Sequence, residues 1–240
     1  MNIREIKDRV LFALSVPKCI CCNERLDYGQ KAFCPKCSAD YEDFKTRNCS
    51  LCAKILQECS CSNEYLRGHF ISKTVKSFRY MVRDDSKPAN SLIFSLKKDN
   101  RQDVLDVCAD EMLKSIENCI SEPQNYVITN VPRRKAAIIE YGIDHSALLA
   151  EEVAKRLGAR YVPLLKSNSK KAQKSLEHSE RMKNVNFDLI KNVDLSGKSV
   201  IIVDDVITSG ASMGSAAAFI RSLGCKNIVA ASLGIAYKDD

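Results

Sequence analysis

The stretch VIIVDDVITSGAS, residues 200–212, decides the fold of this 240-residue chain. Its first four residues are all β-branched, which predicts a strand too apolar to face water and therefore a place at the centre of a sheet. Two adjacent acids, Asp204 and Asp205, stand at the predicted carboxyl end of this strand, where open α/β sheets bind their ligands. The stretch therefore predicts an α/β protein with a ligand site at that edge of the sheet.

The turn after the two acids has the composition of an anion-binding loop. It leads into a predicted helix from Met213 to Leu223, which Gly224 ends. Free backbone N–H groups and the helix dipole favour an anion at such a helix start. The residues assigned to a phosphate group are Thr208, Ser209, Gly210, Ala211 and Ser212. Asp204 and Asp205 are the candidate catalytic carboxylates, since they suit sugar hydroxyls or a hydrated Mg²⁺. The alternative is an ordinary acidic turn between a strand and a helix.

The rest of the chain predicts alternating strands and helices. Strands are predicted at 69–80, 126–131, 199–205 and 227–233, and helices around 92–96, at 102–119 and at 145–157. Asp144 is the predicted N-cap of the last of these helices, and Gly158 its end. The polar stretch 166–183 predicts a mobile loop. This alternation is typical of an open parallel sheet with helices on both faces.

A basic turn follows the predicted strand 126–131. Pro132 precedes three cations, Arg133, Arg134 and Lys135. Because the carboxyl ends of parallel strands meet at one edge of the sheet, these cations are expected beside the two acids. The alternative is a solvated basic turn.

The cysteines indicate a metal site in a reducing compartment. Nine of the twelve lie between Cys19 and Cys61, largely in CxxC pairs, which favours zinc over disulfides. The predicted structural zinc ligands are Cys19, Cys22, Cys34, Cys37, Cys49, Cys52, Cys59 and Cys61. One zinc ion or two, and sequential or cross-braced pairing, are both open, and Cys21 is a spare candidate.

Charge and hydropathy bound the class of protein. The net charge is +7, and residues 1–65 carry ten basic and nine acidic residues, so the excess lies on 66–240. Such an excess suits a phosphorylated ligand or a nucleic acid. No apolar run approaches the roughly 18–20 residues of a membrane span. Ile3, Ile6, Val10 and Leu14 have helical spacing and predict a short amphipathic helix rather than a signal peptide. We therefore expect a cytoplasmic protein without membrane insertion, with a zinc-binding module at 1–65 and a larger domain at 66–240.

The segment 200–212 resembles the motif with which type I phosphoribosyltransferases bind phosphoribosyl pyrophosphate (PRPP). The resemblance implies that Asp204 and Asp205 contact the ribose, that residues 208–212 hold the 5′-phosphate, and that Arg133, Arg134 and Lys135 meet the pyrophosphate, with Mg²⁺ accompanying PRPP. The predicted fold is then a phosphoribosyltransferase-like open parallel sheet behind a small cysteine-rich zinc finger.

The two modules in this order resemble the ComF family of bacterial competence proteins over essentially the whole chain. A family pattern before the PRPP strand matches Gln173, Leu176, Arg181, Asn184 and Phe187, whereas a family Arg-Gly-Phe-Asn-Gln run keeps only Gly142 within residues 141–145. The resemblance implies DNA uptake and processing in natural competence, with single-stranded DNA, competence-machinery proteins or a second copy of the chain as partners. The alternative is a phosphoribosyltransferase of nucleotide metabolism or salvage that transfers phosphoribose to a base and releases pyrophosphate.

Overall fold

The computed structural model describes residues 16–49, 51–62, 64–81, 84–168, 187–190 and 193–236. The predicted N-terminal helix, most of the predicted loop 166–183 and four of the five ComF-like positions, Gln173 to Asn184, lie outside the described residues. Lys166 and Ser167 are described, and they belong to a short strand rather than to a loop, because they pair with residues 187–188.

A five-stranded parallel sheet in the order β1-β7-β6-β2-β3 forms the centre of the fold. Its strands are β1 (Ile71–Arg79), β2 (Val127–Asn130), β3 (Arg160–Tyr161), β6 (Ser199–Ile207) and β7 (Asn227–Ile235). A separate antiparallel pair consists of β4 (Leu165–Ser167) and β5 (Phe187–Leu189). The described helices are α1 (Pro35–Lys45), α2 (Glu64–Gly68), α3 (Lys87–Lys98), α4 (Gln102–Cys119), α5 (Lys135–Tyr141), α6 (His145–Leu157) and α7 (Ala211–Arg221).

The apolar strand predicted from residues 199–205 is the middle strand of the sheet. Residues 200–203 are fully buried between β2 and β7. The strand runs two residues further than predicted, to Ile207, because its pairing with β7 continues past the acids: Asp204 lies opposite Ser232, and Ile207 opposite Ile235. The two acids are therefore part of the strand and project beyond the end of the shorter β2.

The strand order creates a crevice between β2 and β6. From β2 the chain proceeds outward to β3 on one side, and from β6 it proceeds to β7 on the other. Open parallel sheets bind ligands at such a switch point, outside the carboxyl ends of the strands. The residues after β2 and the acids of β6 lie at this point.

The predicted helices are confirmed with small shifts of their ends. α4 spans the predicted residues and buries the predicted stripe of Val104, Cys108, Met112 and Ile116. α6 begins after Asp144, whose side chain accepts from the Ala147 amide, and ends at Gly158 in the left-handed region. α7 starts and ends two residues earlier than predicted, since left-handed Gly210 immediately precedes its first turn.

The cysteine-rich region packs on the sheet domain and shares its core. Leu26, Tyr41 and Phe44 belong to the same buried cluster as Val75 of β1 and Met112 of α4. Helix α1, which the sequence analysis missed, supplies two of these contacts. These apolar residues are therefore buried against the sheet domain.

A buried polar cluster joins the same two parts. Glu111 of α4 accepts from Lys45 at 2.9 Å, from Gln57 at 2.6 Å and from the Tyr41 hydroxyl at 3.3 Å. The lysine and the carboxylate are both almost fully enclosed. A buried charge needs such partners, so this cluster fixes how α1 lies on α4.

Candidate functional site

A cleft of about 460 Å³ lies at the carboxyl edge of the sheet. Its floor is the end of β6, one wall is the loop 208–212 with the start of α7, and the facing residues come from α3, β1 and α5. The lining residues are Tyr80, Phe94, Lys97, Lys98, Tyr141, Asp204, Val206, Ile207, Thr208, Ser209, Gly210, Ala211, Ser212 and Met213. All five residues assigned to the phosphate group therefore lie in one cleft with Asp204.

The loop 208–212 has the geometry of an anion cradle. Gly210 has φ 81°, a left-handed conformation that strains other residues, and it directly precedes α7. A Cβ at this position would also lie 3.1 Å from Leu66 Cδ2 of α2, a tight contact that Leu66 would have to relieve by a small movement. The turn directs the first backbone N–H groups of α7 toward the cleft, where they can bind an anion.

Asp204 faces the cleft without a countercharge. Within the described residues it makes no ion pair, although its carboxylate accepts the Asp205 backbone amide at 2.9 Å. Burial and the neighbouring Asp205 charge raise the pKa of Asp204 to about 8. A divalent cation or a hydroxyl-rich ligand in the cleft would offset this unfavourable environment.

Asp205 has the opposite environment. Its carboxylate is buried and pairs with two cations. One is Arg133, which follows β2, and the other is Lys97 of α3, whose Nζ lies 3.1 Å from Asp205 Oδ2. Burial alone would raise the pKa of Asp205, but Lys97 and Arg133 together lower it below its usual value. Asp205 does not line the cleft. The two acids, treated as equivalent in the sequence analysis, therefore differ in charge, partners and exposure.

The basic turn after β2 is held at the switch point. The backbone amide of Arg133 donates to Asp144 Oδ2 at 3.1 Å, and Ser146 Oγ donates to the Val131 carbonyl at 2.7 Å. Asp144 therefore caps α6 and also positions Arg133. Arg134 and Lys135 make no ion pair within the described residues. None of the three cations of the basic turn, Arg133 included, lines the cleft.

His145 is a buried polar group behind the site. Its Nε2 lies 3.2 Å from Asn100 Oδ1, whereas Nδ1 has no hydrogen-bond partner among the described residues. Burial first, and the Arg133 charge second, lower the pKa of His145, so the ring is neutral at pH 7.

Five cleft residues were absent from the sequence analysis: Tyr80, Phe94, Lys97, Lys98 and Tyr141. Lys97 and Lys98 close the last turn of α3, where lysines are common because they complement the helix dipole. Because the helix dipole already explains lysines at this position, the sequence does not indicate that they also line the cleft. That role depends on the packing of α3 in the folded chain.

The eight predicted zinc ligands form two separate groups of four. Cys19, Cys22, Cys34 and Cys37 form one, and Cys49, Cys52, Cys59 and Cys61 form the other; within each, all sulfurs lie within 4.8 Å of one another. The pairing is therefore sequential and not cross-braced, and Cys21 belongs to neither group. Cys22 and Cys34 place their sulfurs 3.6 Å apart, as do Cys52 and Cys59. A disulfide needs about 2.05 Å, whereas tetrahedral zinc with about 2.3 Å bonds spaces its sulfurs by about 3.8 Å. Both groups fit zinc.

The two groups start with the same hairpin, repeated after 30 positions. Lys18 pairs with Arg25 and Asn48 with Ile55, and the amides of Asn23 and Ala53 donate to the carbonyls of Cys19 and Cys49 at 2.9 Å. Asn23 and Ala53 both have positive φ. The shared feature is backbone geometry, and few side chains other than cysteine recur, so the repeat is not evident in the sequence beyond the CxxC pairs.

The second cysteine group lies close to the phosphate loop. Lys76 of β1 is fully buried and donates to the Cys61 carbonyl at 2.9 Å. Helix α2 begins shortly after Cys61. A Cβ added to Gly214 of α7 would lie only 2.9 Å from Tyr65 Cε1 of α2. Helix α2, which follows the second cysteine group in the sequence, therefore packs against the helix that follows the phosphate loop.

The part of the chain that holds the phosphate loop is similar to a known domain family. Residues 142–236 match the family model described as phosphoribosyl transferase domain. This range holds α6, both acids, the phosphate loop and β7, and it begins after the basic turn 133–135. A search of curated proteins found no significant relative.

Several solved structures are similar in part. A purine phosphoribosyltransferase from Pyrococcus horikoshii is 20% identical over 55% of this chain and 72% of its own, with a TM-score of 0.37. A hypoxanthine-guanine phosphoribosyltransferase from Bacillus anthracis is 19% identical over 60% and 69%, also at 0.37. A phosphoribosylpyrophosphate synthetase from Mycobacterium smegmatis is 20% identical over 48% and 28%, at 0.30.

The α/β fold with a parallel five-stranded sheet flanked by helices is as predicted, and residues 142–236 are similar to the phosphoribosyl transferase domain. None of the described helices combines the length and the apolar character that a membrane span requires.

Proposed function

We propose that the cleft binds PRPP together with Mg²⁺, in a ComF-like protein whose cysteine region holds two structural zinc ions. The observation that carries this proposal is the presence, in one cleft, of an anion cradle at the start of α7 and of Asp204 at the end of β6, an acid that makes no ion pair with a described residue. The cleft volume of about 460 Å³ suits a small phosphorylated ligand.

The proposed roles follow the two ends of the ligand. Residues 208–212 hold the 5′-phosphate through backbone amides and hydroxyls. Asp204 accepts from the ribose hydroxyls or from water on the cation, and Asp205 completes the ribose site while positioning Arg133. Arg133, Arg134 and Lys135 are proposed to lie near the pyrophosphate, although only Arg133 is fixed at the switch point by described contacts.

If the site is catalytic, the chemistry is substitution at the ribose C1. A nitrogen of the acceptor forms a bond to C1 as the bond to the pyrophosphate oxygen breaks, and pyrophosphate departs with the electron pair. Cations at the pyrophosphate would stabilise the charge that develops there. Mg²⁺ bound to the pyrophosphate would supply further neutralisation.

For the biological role we propose DNA uptake and processing during natural competence, in the cytoplasm. The order of a cysteine region before a phosphoribosyltransferase-type domain supports this role, as does the basic excess outside residues 1–65. Salvage or synthesis of nucleotides is the second candidate, and the aromatic rings of Phe94 and Tyr141 in the cleft favour it, because a flat base can stack on such rings.

Calorimetric titration of the zinc-loaded protein with PRPP and Mg²⁺ tests the shared premise. We expect wild-type binding and about a tenfold or greater loss in Asp204→Asn, since the carboxylate contacts the ligand. Glu117→Gln removes one exposed carboxylate from α4, away from the cleft, and is the matched control. Absence of binding to the folded, metal-loaded wild type would reject the proposal.

Two measurements separate the candidate roles. A panel of bases incubated with PRPP and scored by pyrophosphate release detects a nucleotide-forming enzyme. Salt-dependent binding to single-stranded DNA, compared with Lys170→Ala, Lys171→Ala and Lys174→Ala, detects a nucleic-acid role. Base-dependent release without DNA binding would overturn the competence role in favour of nucleotide metabolism.

A further inference from the structure

The last turn of α3 forms the wall of the cleft that faces the phosphate loop. Phe94, Lys97 and Lys98 all line the cleft, and Ser209 to Ser212 line the opposite side. An anion held by the start of α7 therefore has two lysines on the far side of the same cavity.

The charges on this wall are not balanced by the protein. Asp205 is one carboxylate shared by two cations, Lys97 at 3.1 Å and Arg133, which leaves one positive charge in excess. Lys98 makes no ion pair with any described residue and is exposed to the cleft. Asp204 offsets little of this charge at neutral pH, because burial raises its pKa to about 8.

Helix capping alone does not account for the arrangement. Lysines in a last turn complement the helix dipole by lying near their own terminal carbonyls. Lys97 instead reaches across to Asp205 of β6, and Lys98 lines the cavity. Two cations at the end of one helix, facing a phosphate cradle, form a second site for negative charge.

We propose that Lys97 and Lys98 bind the diphosphate end of the ligand whose 5′-phosphate lies in the loop 208–212. The inference rests on the proposed PRPP site and names the residues that recognise its second anionic group. It adds two cations from α3 to the basic turn 133–135, of which only Arg133 is held at the switch point by described contacts.

The test compares three ligands that share parts of PRPP: ribose 5-phosphate, inorganic pyrophosphate and PRPP itself, each with Mg²⁺. In Lys98→Met we expect about a tenfold loss of affinity for pyrophosphate and PRPP, the scale of one charge-assisted contact, with ribose 5-phosphate unchanged within about twofold. Lys87→Met removes the same charge from the opposite end of α3, and we expect no change with any ligand. Lys97→Met should show the pattern of Lys98→Met, and Lys98→Met alone decides if Lys97→Met does not fold.

The outcomes separate this inference from the proposed function. Unchanged pyrophosphate affinity in Lys98→Met, or an equal loss for ribose 5-phosphate, overturns the assignment of the lysines and leaves the phosphate loop intact. A wild type that binds ribose 5-phosphate but gains nothing from the diphosphate also overturns it. A folded wild type that binds none of the three ligands rejects the proposed function and the inference together.

Discussion

The cysteine region and the cleft differ in whether their charged and polar groups have partners. Around Glu111 each polar group has a partner. Each of the two cysteine groups holds its four sulfurs close enough together to bind a single metal ion. At the cleft, Asp204 has no countercharge and Lys98 makes no ion pair with a described residue, while His145 behind the site keeps a ring nitrogen unpartnered among the described residues. One region stabilises the fold, and the other retains unfavourable groups that a ligand can satisfy. Substitution of a partnered buried group should therefore lower the free energy of unfolding, whereas substitution of Asp204 should raise it.

The largest effect is expected from the first cysteine group, because it belongs to the main core. Cys37→Ser should remove one zinc ion per chain and lower the free energy of unfolding by about 3 kcal/mol or more, since bound metal contributes to folding. Metal analysis of anaerobically purified protein and chemical denaturation measure the two effects. Cys21→Ser is the matched control, as Cys21 lies beside this group without belonging to it. Two zinc ions retained by Cys37→Ser would contradict the assigned ligands.

The next effect concerns the contact between the cysteine region and the sheet domain. Glu111→Ala leaves the buried Lys45 ammonium without its enclosed partner, so we expect a loss of about 3 kcal/mol in the free energy of unfolding. Glu117→Ala changes an exposed residue of the same helix and should cost little. Equal denaturation midpoints for the two variants would show that the two regions do not depend on this buried pair.

Substitutions of the two adjacent acids are expected to change the stability of the protein in opposite directions. Asp205→Asn leaves Arg133 and Lys97 facing each other without a carboxylate and should destabilise the protein by about 2 kcal/mol. Asp204→Asn removes a carboxyl whose pKa is raised to about 8, and it should stabilise the protein at pH 7 by about 1 kcal/mol or more. Thermal melts of both variants at pH 7 measure the difference. Destabilisation of similar size in both variants would mean that the Asp204 carboxyl does not destabilise the folded protein at pH 7.

The same pKa fixes the direction of the pH dependence. A raised pKa means that folded Asp204 keeps its proton while the unfolded chain has lost it, so this group's contribution to stability is lost as pH rises from about 4 to about 8. Asp204→Asn should remove that part of the slope in a series of melts.

The sequence predicted those features that depend on neighbouring residues. Four β-branched residues before two acids identified β6. Three CxxC pairs and the shorter pair Cys59 and Cys61 identified the eight cysteines that form the two groups. Gly158 was predicted as the end of a helix and Gly210 as part of the phosphate loop, and both have positive φ, where glycine is favoured.

The features that sequence could not predict depend on distant contacts. The difference between Asp204 and Asp205 arises from Lys97, which lies more than a hundred positions away in the chain. Each cysteine group begins with a hairpin in which one residue has positive φ, Asn23 in the first and Ala53 in the second. Because these two residues have little in common, the sequence does not reveal the shared hairpin. Helix α5 was missed because none of its residues is buried, so it has no apolar periodicity to reveal it.

The smallest expected effect is that of His145, and it concerns the cleft side of the comparison. Burial and Arg133 lower its pKa below the usual value, so the folded ring stays neutral while the unfolded ring takes up a proton below about pH 6.5. Asp144, Asp205 and Lys97 are the other charged groups that act on it. The wild type should therefore lose up to about 1 kcal/mol of stability between pH 6.5 and pH 5 that His145→Gln does not lose. Denaturation of both proteins at the two pH values measures this difference. A wild type that instead gains stability relative to His145→Gln on acidification would mean that Asp205 and Asp144 outweigh burial and Arg133, and that the cleft stabilises charge at this position as the cysteine region does.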